Sequence, residues 1–386
     1  MPDTPFTLFS PCPRGLEPVL AGELAALGAS ACEAVPGGVR FRGDLALCYR
    51  ANLESRIATR VLLRVHEAPY RSEDDVYRAA FSVRWRDWFD VRRSIRVDTT
   101  AIRSPLRSID FVTLRVKDAV CDRFRKDDGA RPDVDTRAPD VRIHVFLDER
   151  SVTLYLDTSG EPLFKRGIRG RAGEAPLKEN LAAGIIRLAG WDGVEPFLDP
   201  MCGGGTFLIE AAQIALGIAP GARREFGFER LANFDAALWK RLREAAEARV
   251  APRGKLPVFG SDKSGRAVAS AREALAAAGL ADFVTLKQCD VLELTAPARW
   301  GVMVANPPYG VRLDDKARLA AFYPKLGDAL KARFAGWRCY LFTADLEAAK
   351  LIGLRPSKRT PLFNGPLECR LFEFRIVAGS MRRGGG

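Results

Sequence analysis

From Leu177 onward the chain keeps returning to one pattern: a short apolar run closed by Asp or Asn, then a stretch with helical spacing. One run ends at Asp199, Val258–Asp262 ends in a second aspartate, the run 284–286 leads to Asp290, and Gly301–Ala305 leads to Asn306. Helical spacing fills the gaps over 176–188 (Leu177, Leu181 and Ile185 on one face), 207–216, 266–278 and 319–334. Such alternation predicts βα units, hence a mostly parallel sheet with helices on both faces. The runs 339–343 and 371–377 add two strands, the second an arm of a hairpin reached through Pro361, Gly365 and Pro366. One interval is out of scale. Asp199 and Asp262 lie 63 residues apart, whereas one βαβ step takes about 30. Residues from about 219 to 255, with Trp239, three phenylalanines and many charges, are therefore an insertion, expected to form a helical elaboration beside the site.

The first 160 residues read differently. Helical spacing at 16–27, 45–53, 76–80 and 111–124 is interleaved with strand-like runs at 39–41, 61–66, 94–100, 141–147 and 151–156. This is an α+β module without an internal repeat. Residues 161–175, rich in glycine and charge, form the junction to a second domain over 176–386.

No apolar run reaches the roughly 18–20 residues that span a bilayer, and Met1–Ser10 lacks the basic and apolar regions of a secretory signal. Eight scattered cysteines without a C-x-x-C pair, in a chain of 386 residues, predict reduced thiols and a cytoplasmic protein. Only His66 and His144 are available as imidazole ligands, so no metal site is expected. A net charge of +12 suggests a polyanionic partner. The densest basic stretch holds Arg84, Arg86, Arg92, Arg93, Arg96, Arg103 and Arg107 within 24 residues, interleaved with Trp85, Trp88 and Phe89. Phosphate contact and base stacking would use that composition, although a solvated face diluted by Asp87, Asp90 and Asp98 would look similar. Lys165, Arg166, Arg169 and Arg171 form a second basic cluster at the junction. Nothing in the sequence fixes an oligomeric state.

Ligands of open α/β sheets bind beyond the carboxyl ends of the strands, which is where four short segments fall. The turn 199–207 carries Gly203, Gly204 and Gly205 but neither a third dinucleotide-type glycine (Leu208 stands there) nor the Gly-Lys of a P-loop. It suits a close-fitting ligand without phosphates, or simply a tight βα turn. Asp262 and Asp290 can accept hydrogen bonds from ribose hydroxyls and an adenine amino group, or cap helices. Asn306-Pro307-Pro308-Tyr309 is the most specific segment. An exocyclic amine on a base is a poor nucleophile because its lone pair is delocalised into the ring. Two acceptors, the Asn306 carboxamide and the Pro307 carbonyl, would localise that lone pair; prolines stiffen the loop, and Tyr309 offers a stacking face for an extruded base. Cys202, although a potential nucleophile, reads as a small filler of the turn.

With these residues the second half resembles class I S-adenosylmethionine-dependent methyltransferases of the amino type, marked by Asp, Asn or Ser before Pro-Pro-aromatic. Residues 147–171, with Leu156-Asp157-Thr158-Ser159-Gly160-Glu161-Pro162-Leu163, resemble the end of a THUMP domain. Ala175-Pro176-Leu177-Lys178-Glu179-Asn180-Leu181-Ala182, Asp199-Pro200-Met201-Cys202-Gly203 and Phe363-Asn364-Gly365-Pro366-Leu367-Glu368-Cys369 are similar to the bacterial THUMP enzymes that methylate guanine N2 in 23S rRNA. The resemblance implies a Rossmann-like seven-stranded methyltransferase domain preceded by a THUMP-containing RNA-binding module, itself a ferredoxin-like subdomain over 1–60 and a THUMP-like domain over 61–160. It further implies S-adenosylmethionine contacts at Asp199, Cys202, Gly203, Gly205, Asp262, Asp290 and Asn306, a target-amine site at Asn306, Pro307 and Tyr309, and 23S rRNA or a large-subunit assembly intermediate as partner. Gly204 stands where such enzymes often carry serine. The same chemistry on tRNA, a DNA amine or a protein glutamine, and an RNA-binding protein with a relic cofactor fold, remain the alternatives.

Overall fold

A computed structural model describes residues 5–167, 177–251, 254–307 and 313–377. They divide into two compact units. The first comprises residues up to Cys12, Leu20–Lys165 and Gly221–Ala245; the second comprises Pro13–Val19, the described residues from Arg166 to Pro220, and those from Ala246 onward.

A seven-stranded sheet organises the first unit: β1 (Phe6–Pro11), β2 (Ser30–Val35), β3 (Gly38–Gly43), β4 (Leu62–Pro69), β5 (Ile95–Ala101), β6 (Val141–Leu147) and β7 (Ser151–Asp157), in the spatial order β2-β3-β1-β4-β7-β6-β5. Because β4 pairs with β1 on one side and β7 on the other, stretches 1–60 and 61–160 share one hydrogen-bonded ladder. Alternation in β6 shows how the sheet is used. Val141, Ile143, Val145 and Leu147 are buried, while Arg142, His144 and Phe146 on the opposite face are half-buried. Helices α1 (Glu17–Ala26), α2 (Leu45–Glu54), α3 (Glu73–Ser82) and α4 (Ile109–Asp128) accompany these strands. A capping box starts α3, where Ser72 and Asp75 satisfy each other's backbone N–H groups, and Gly129 closes α4 in the left-handed conformation.

In the second unit α5 (Glu179–Leu188) precedes β8 (Phe197–Asp199), α6 (Thr206–Leu216), β9 (Val258–Asp262), α8 (Gly265–Ala277), β10 (Thr285–Gln288) and β11 (Gly301–Ala305); the inserted helix α7 (Ala236–Ala248) falls in the chain between α6 and β9, and most of it belongs to the first unit. Helix α9 (Leu313–Arg333), β12 (Trp337–Thr343), α10 (Leu346–Lys350), β13 (Lys358–Asn364) and β14 (Leu367–Arg375) complete it. The strand order is β10-β9-β8-β11-β12-β14-β13; the first five are parallel, and β14 runs antiparallel to both neighbours. Tyr323, Leu326 and Leu330 of α9, with Phe334 just past its end, form a core with Leu198, Met303, Leu341 and Phe372 of the sheet. Close packing of α6 on β9 requires Gly260, since a Cβ there would run into Leu208. Among the described residues no helix is long and apolar enough to cross a membrane.

The insertion departs from expectation. Rather than elaborating the second unit, its segment Gly221–Ala245 belongs to the first. Phe228 stacks on Tyr49 of α2 with centroids 4.1 Å apart, and Trp239 meets Tyr49 edge-on at 6.0 Å. Large rings that have no place in the parallel sheet thus complete the first unit's core.

Candidate active site

Strand order reverses beside β8: the chain steps outward through β9 to β10, then returns to lay β11 on the other side of β8. A crevice opens at such a switch point, outside the carboxyl ends of the two central strands. Those ends are Asp199 and, after β11, Asn306. Val302 pairs with Phe197 and Met303 with Leu198, so Asp199 and Asn306 leave the sheet on adjacent strands at the same edge. Asn306 is half-buried and Pro307 buried. Pro308 and Tyr309 lie outside the described residues, as do Arg169 and Arg171.

The loop after β8 is held by its own backbone. Cys202 N donates to the Ser261 carbonyl at 2.9 Å, and Gly205 N to the Cys202 carbonyl at 2.7 Å. Gly203 and Gly205 have φ of +49° and +77°, a region that costs an L-residue about 1–2 kcal/mol. Beyond conformation the three glycines differ. A Cβ on Gly205 would press on Ala271 of α8 at 3.3 Å, whereas no described residue lies within 4 Å of one on Gly203, and only Ser270 Oγ, at 4.0 Å, near one on Gly204. Gly205 serves packing; Gly203 borders clear space.

Asp262 ties this loop to the next strand. One carboxylate oxygen accepts from Gly203 N at 3.1 Å and the other from Ser264 N at 2.9 Å. It does not cap α8, because Ser264 does so through Ala267 N. A carboxylate has about four acceptor positions, so Asp262 retains capacity toward hydroxyl donors. Asp290 lies two residues past β10, half-buried, and accepts from Leu292 N at 2.9 Å.

Asp199 differs from both. It is 2% exposed and accepts one hydrogen bond, from Met201 N at 3.2 Å. Burial, with the Asp262 charge nearby, pushes its carboxyl up to about 8. A carboxylate so placed is stabilised by a cation. Cys202 is 5% exposed, and burial with the Asp199 and Asp262 charges raises its thiol well above the ordinary range. A thiol kept protonated is no nucleophile, in line with its reading as a filler.

The basic stretches are placed less as expected. Trp85 and Phe89 are fully buried, with the Trp85 indole donating to the Ala80 carbonyl at 2.9 Å, so neither can stack on a base. Ion pairs join Arg84 to Asp87, Arg86 to Asp128, Arg92 to Asp90, Arg93 to Asp140 and Arg96 to Asp98. Arg103 and Arg107 stay exposed, Arg103 with a left-handed φ of 57°. Lys165 pairs with Glu161. Arg166 is 2% exposed and bound to Glu210 of α6 at 3.0 Å, which withdraws it from any phosphate. For the buried rings the sequence signal was present: aromatics three and four residues apart fit a packed face as well as a stacking platform.

Comparison with known proteins follows the same division. Residues 7–62 match the RlmL ferredoxin-like domain, 70–157 the THUMP domain, and 166–373 the RMKL-like methyltransferase domain. The ribosomal RNA large subunit methyltransferases K/L of Aeromonas salmonicida and Syntrophotalea carbinolica are 41% and 40% identical over 97% of the chain, which covers 54% of each of them. The chain thus spans about half the length of these curated relatives. Among solved structures, a candidate methyltransferase complexed with SAH is 32% identical (TM-score 0.89, 100% of both chains covered). Another, from Listeria monocytogenes and described as an N6-adenine-specific DNA methylase, is 31% identical (TM-score 0.88, 97% of both chains). Edge residues at a switch point, a seven-stranded sheet with one antiparallel strand and these matches lead to one conclusion: the chain belongs to the RMKL-like methyltransferase family, with a THUMP domain ahead of a class I methyltransferase fold.

Proposed function

We propose that this chain transfers a methyl group from S-adenosylmethionine to the exocyclic N2 of a guanine in large-subunit (23S) ribosomal RNA, in the cytoplasm. The observation carrying the proposal is the placement of Asp199 and Asn306 on neighbouring strands at the switch point. The names of the relatives, the THUMP match and the Asn-Pro-Pro-Tyr segment support the substrate class.

The loop residues fit such a cofactor. Gly203 leaves clear space beside the backbone among the described residues, and the buried Asp199 carboxyl suits the ammonium of an amino-acid moiety. Asp262 would hold ribose hydroxyls and Asp290 the adenine amino group. When bound, the cofactor supplies an electrophilic methyl on a sulfonium. Asn306 Oδ1 and the Pro307 carbonyl accept the two hydrogens of the target amine and fix its lone pair outward. Tyr309 provides the stacking face. The amine becomes acidic only as its nitrogen forms the new bond, so the residues need only orient it, and positioning supplies most of the acceleration. Replacing Asn306 by Ala should lower kcat at least 100-fold while SAH affinity changes less than threefold. Nucleoside mass spectrometry of RNA from a deletion strain tests the product; an unchanged N2-methylguanine content overturns the proposal.

A further inference from the structure

A cationic pocket of about 370 Å³ lies in the methyltransferase unit, outside the residues assigned above, lined by Lys350, Arg355, Arg359 and Arg370 with Phe372 and a single carboxylate, Glu347. Sheet register fixes its position. Ala305 pairs with Leu341 in β12, and Thr343, two residues on, pairs with Arg370 in β14. Arg370 therefore stands at the same sheet edge as Asn306, two strand spacings away, or about 10 Å. Arg359 pairs with Phe372 one strand further out, its guanidinium 6.0 Å from the Phe372 ring centre. Arg355, in the loop before β13, is exposed and has no carboxylate partner among the described residues. Glu347 compensates Lys350 at 2.7 Å, but with 81% of its side chain exposed that pair is weak. Arg370 pairs with Glu368 at 2.6 Å, which leaves Arg355 and Arg359, beside an apolar floor and one exposed acid, as the cationic groups that form a site for an anion.

We propose that this pocket binds a backbone phosphate of the RNA strand that carries the target base. The inference rests on the methyltransferase reading and adds the contact that sets the strand's register against Asn306. An anion about 10 Å along the sheet edge from Asn306 suits a phosphodiester near the extruded nucleotide.

RNA affinity of the full chain, measured against salt for the wild type, Arg355→Gln, Arg359→Gln and Glu347→Gln, tests it, with Arg272→Gln on α8 as control. The wild-type slope of log K on log salt should become shallower by roughly one unit in each arginine variant. Glu347→Gln should tighten binding several-fold, and the control should match the wild type. SAH affinity, unchanged throughout, reports that each variant is folded; Arg355 touches no partner whose loss could unfold the chain. An unaltered slope in both arginine variants, with salt-dependent RNA binding by the wild type, overturns the phosphate site and leaves the methyltransferase proposal standing. Wild-type chain that binds no RNA overturns both.

Discussion

Cofactor affinity should depend on a proton held by Asp199. With the carboxyl pushed up to about 8 by burial and the Asp262 charge, about 1% of the ligand-free protein carries the carboxylate at pH 6, by the ordinary titration law. A ligand whose ammonium requires that carboxylate must displace the proton, so its affinity should rise about tenfold per pH unit between pH 6 and 7.5. The full span is about 100-fold, or roughly 2.7 kcal/mol. Calorimetric titration with SAH in two buffers of different ionisation enthalpy reads both slope and proton release. Near pH 6.5 about one proton should leave per ligand bound, and near pH 8.5 only about a quarter of one from this group. Asp199→Asn should bind more weakly at pH 8 and lose the slope. Stability moves in the opposite direction. The folded carboxyl titrates above its unfolded value of 3.8, so its contribution is complete below about pH 4 and lost as pH rises towards 8. The ceiling of that loss is about 1.4 kcal/mol per pH unit. SAH affinity that stays flat from pH 6 to 8 in the wild type would refute the assignment of Asp199 to the cationic end of the ligand.

Other consequences are simpler to read. Gly205→Ala should destabilise by about 1–2 kcal/mol through its left-handed backbone and its contact with Ala271, seen as a lower melting temperature, while Gly204→Ser, where a Cβ meets only Ser270 Oγ at 4.0 Å, should leave melting and SAH affinity unchanged. Glu210→Met strands the Arg166 guanidinium in the interior and should cost about 3–5 kcal/mol; the Arg166→Met, Glu210→Met pair should recover most of it in denaturant titrations. Trp239→Ala removes the ring packed on Tyr49 and Phe228 and should cost about 3–5 kcal/mol. Hydrogen exchange should then speed up in α2 and leave β8 and β11 unaffected.

Legibility in the sequence followed burial geometry. Strands Val258–Asp262 and Gly301–Ala305 were bounded correctly because central parallel strands are short apolar runs between helical stretches. Strands β1 and β2 escaped notice: β2 is largely exposed and carries no alternation, and β1 is a six-residue run that ends in a proline. Asp199, Asp262 and Asn306 were recognisable because strand ends are where polar residues interrupt apolar runs. The Arg84–Arg107 cluster was harder, since sequence spacing does not say whether a tryptophan faces solvent or a helix, and local ion pairs depend on turns that composition does not encode. The pocket at Arg355 and Arg359 was missed for a related reason: its members come from a loop, β13 and β14 and meet only through the antiparallel register.

The chain crosses between its two units at residues 12/13, 19/20, 165/166, 220/221 and 245/246. Such interleaving has a cost during synthesis. When Lys165 has been made, the first unit possesses its whole sheet but lacks the segment that covers Tyr49, which arrives only with Ala245, 80 residues later. At translation rates of about 5–20 residues per second that interval is roughly 4–16 s, during which an aromatic surface stays wet on a nascent chain. A ribosome that pauses between codons 166 and 245 would prolong the exposure, and a gene split at the apparent domain boundary near 170 would make it permanent.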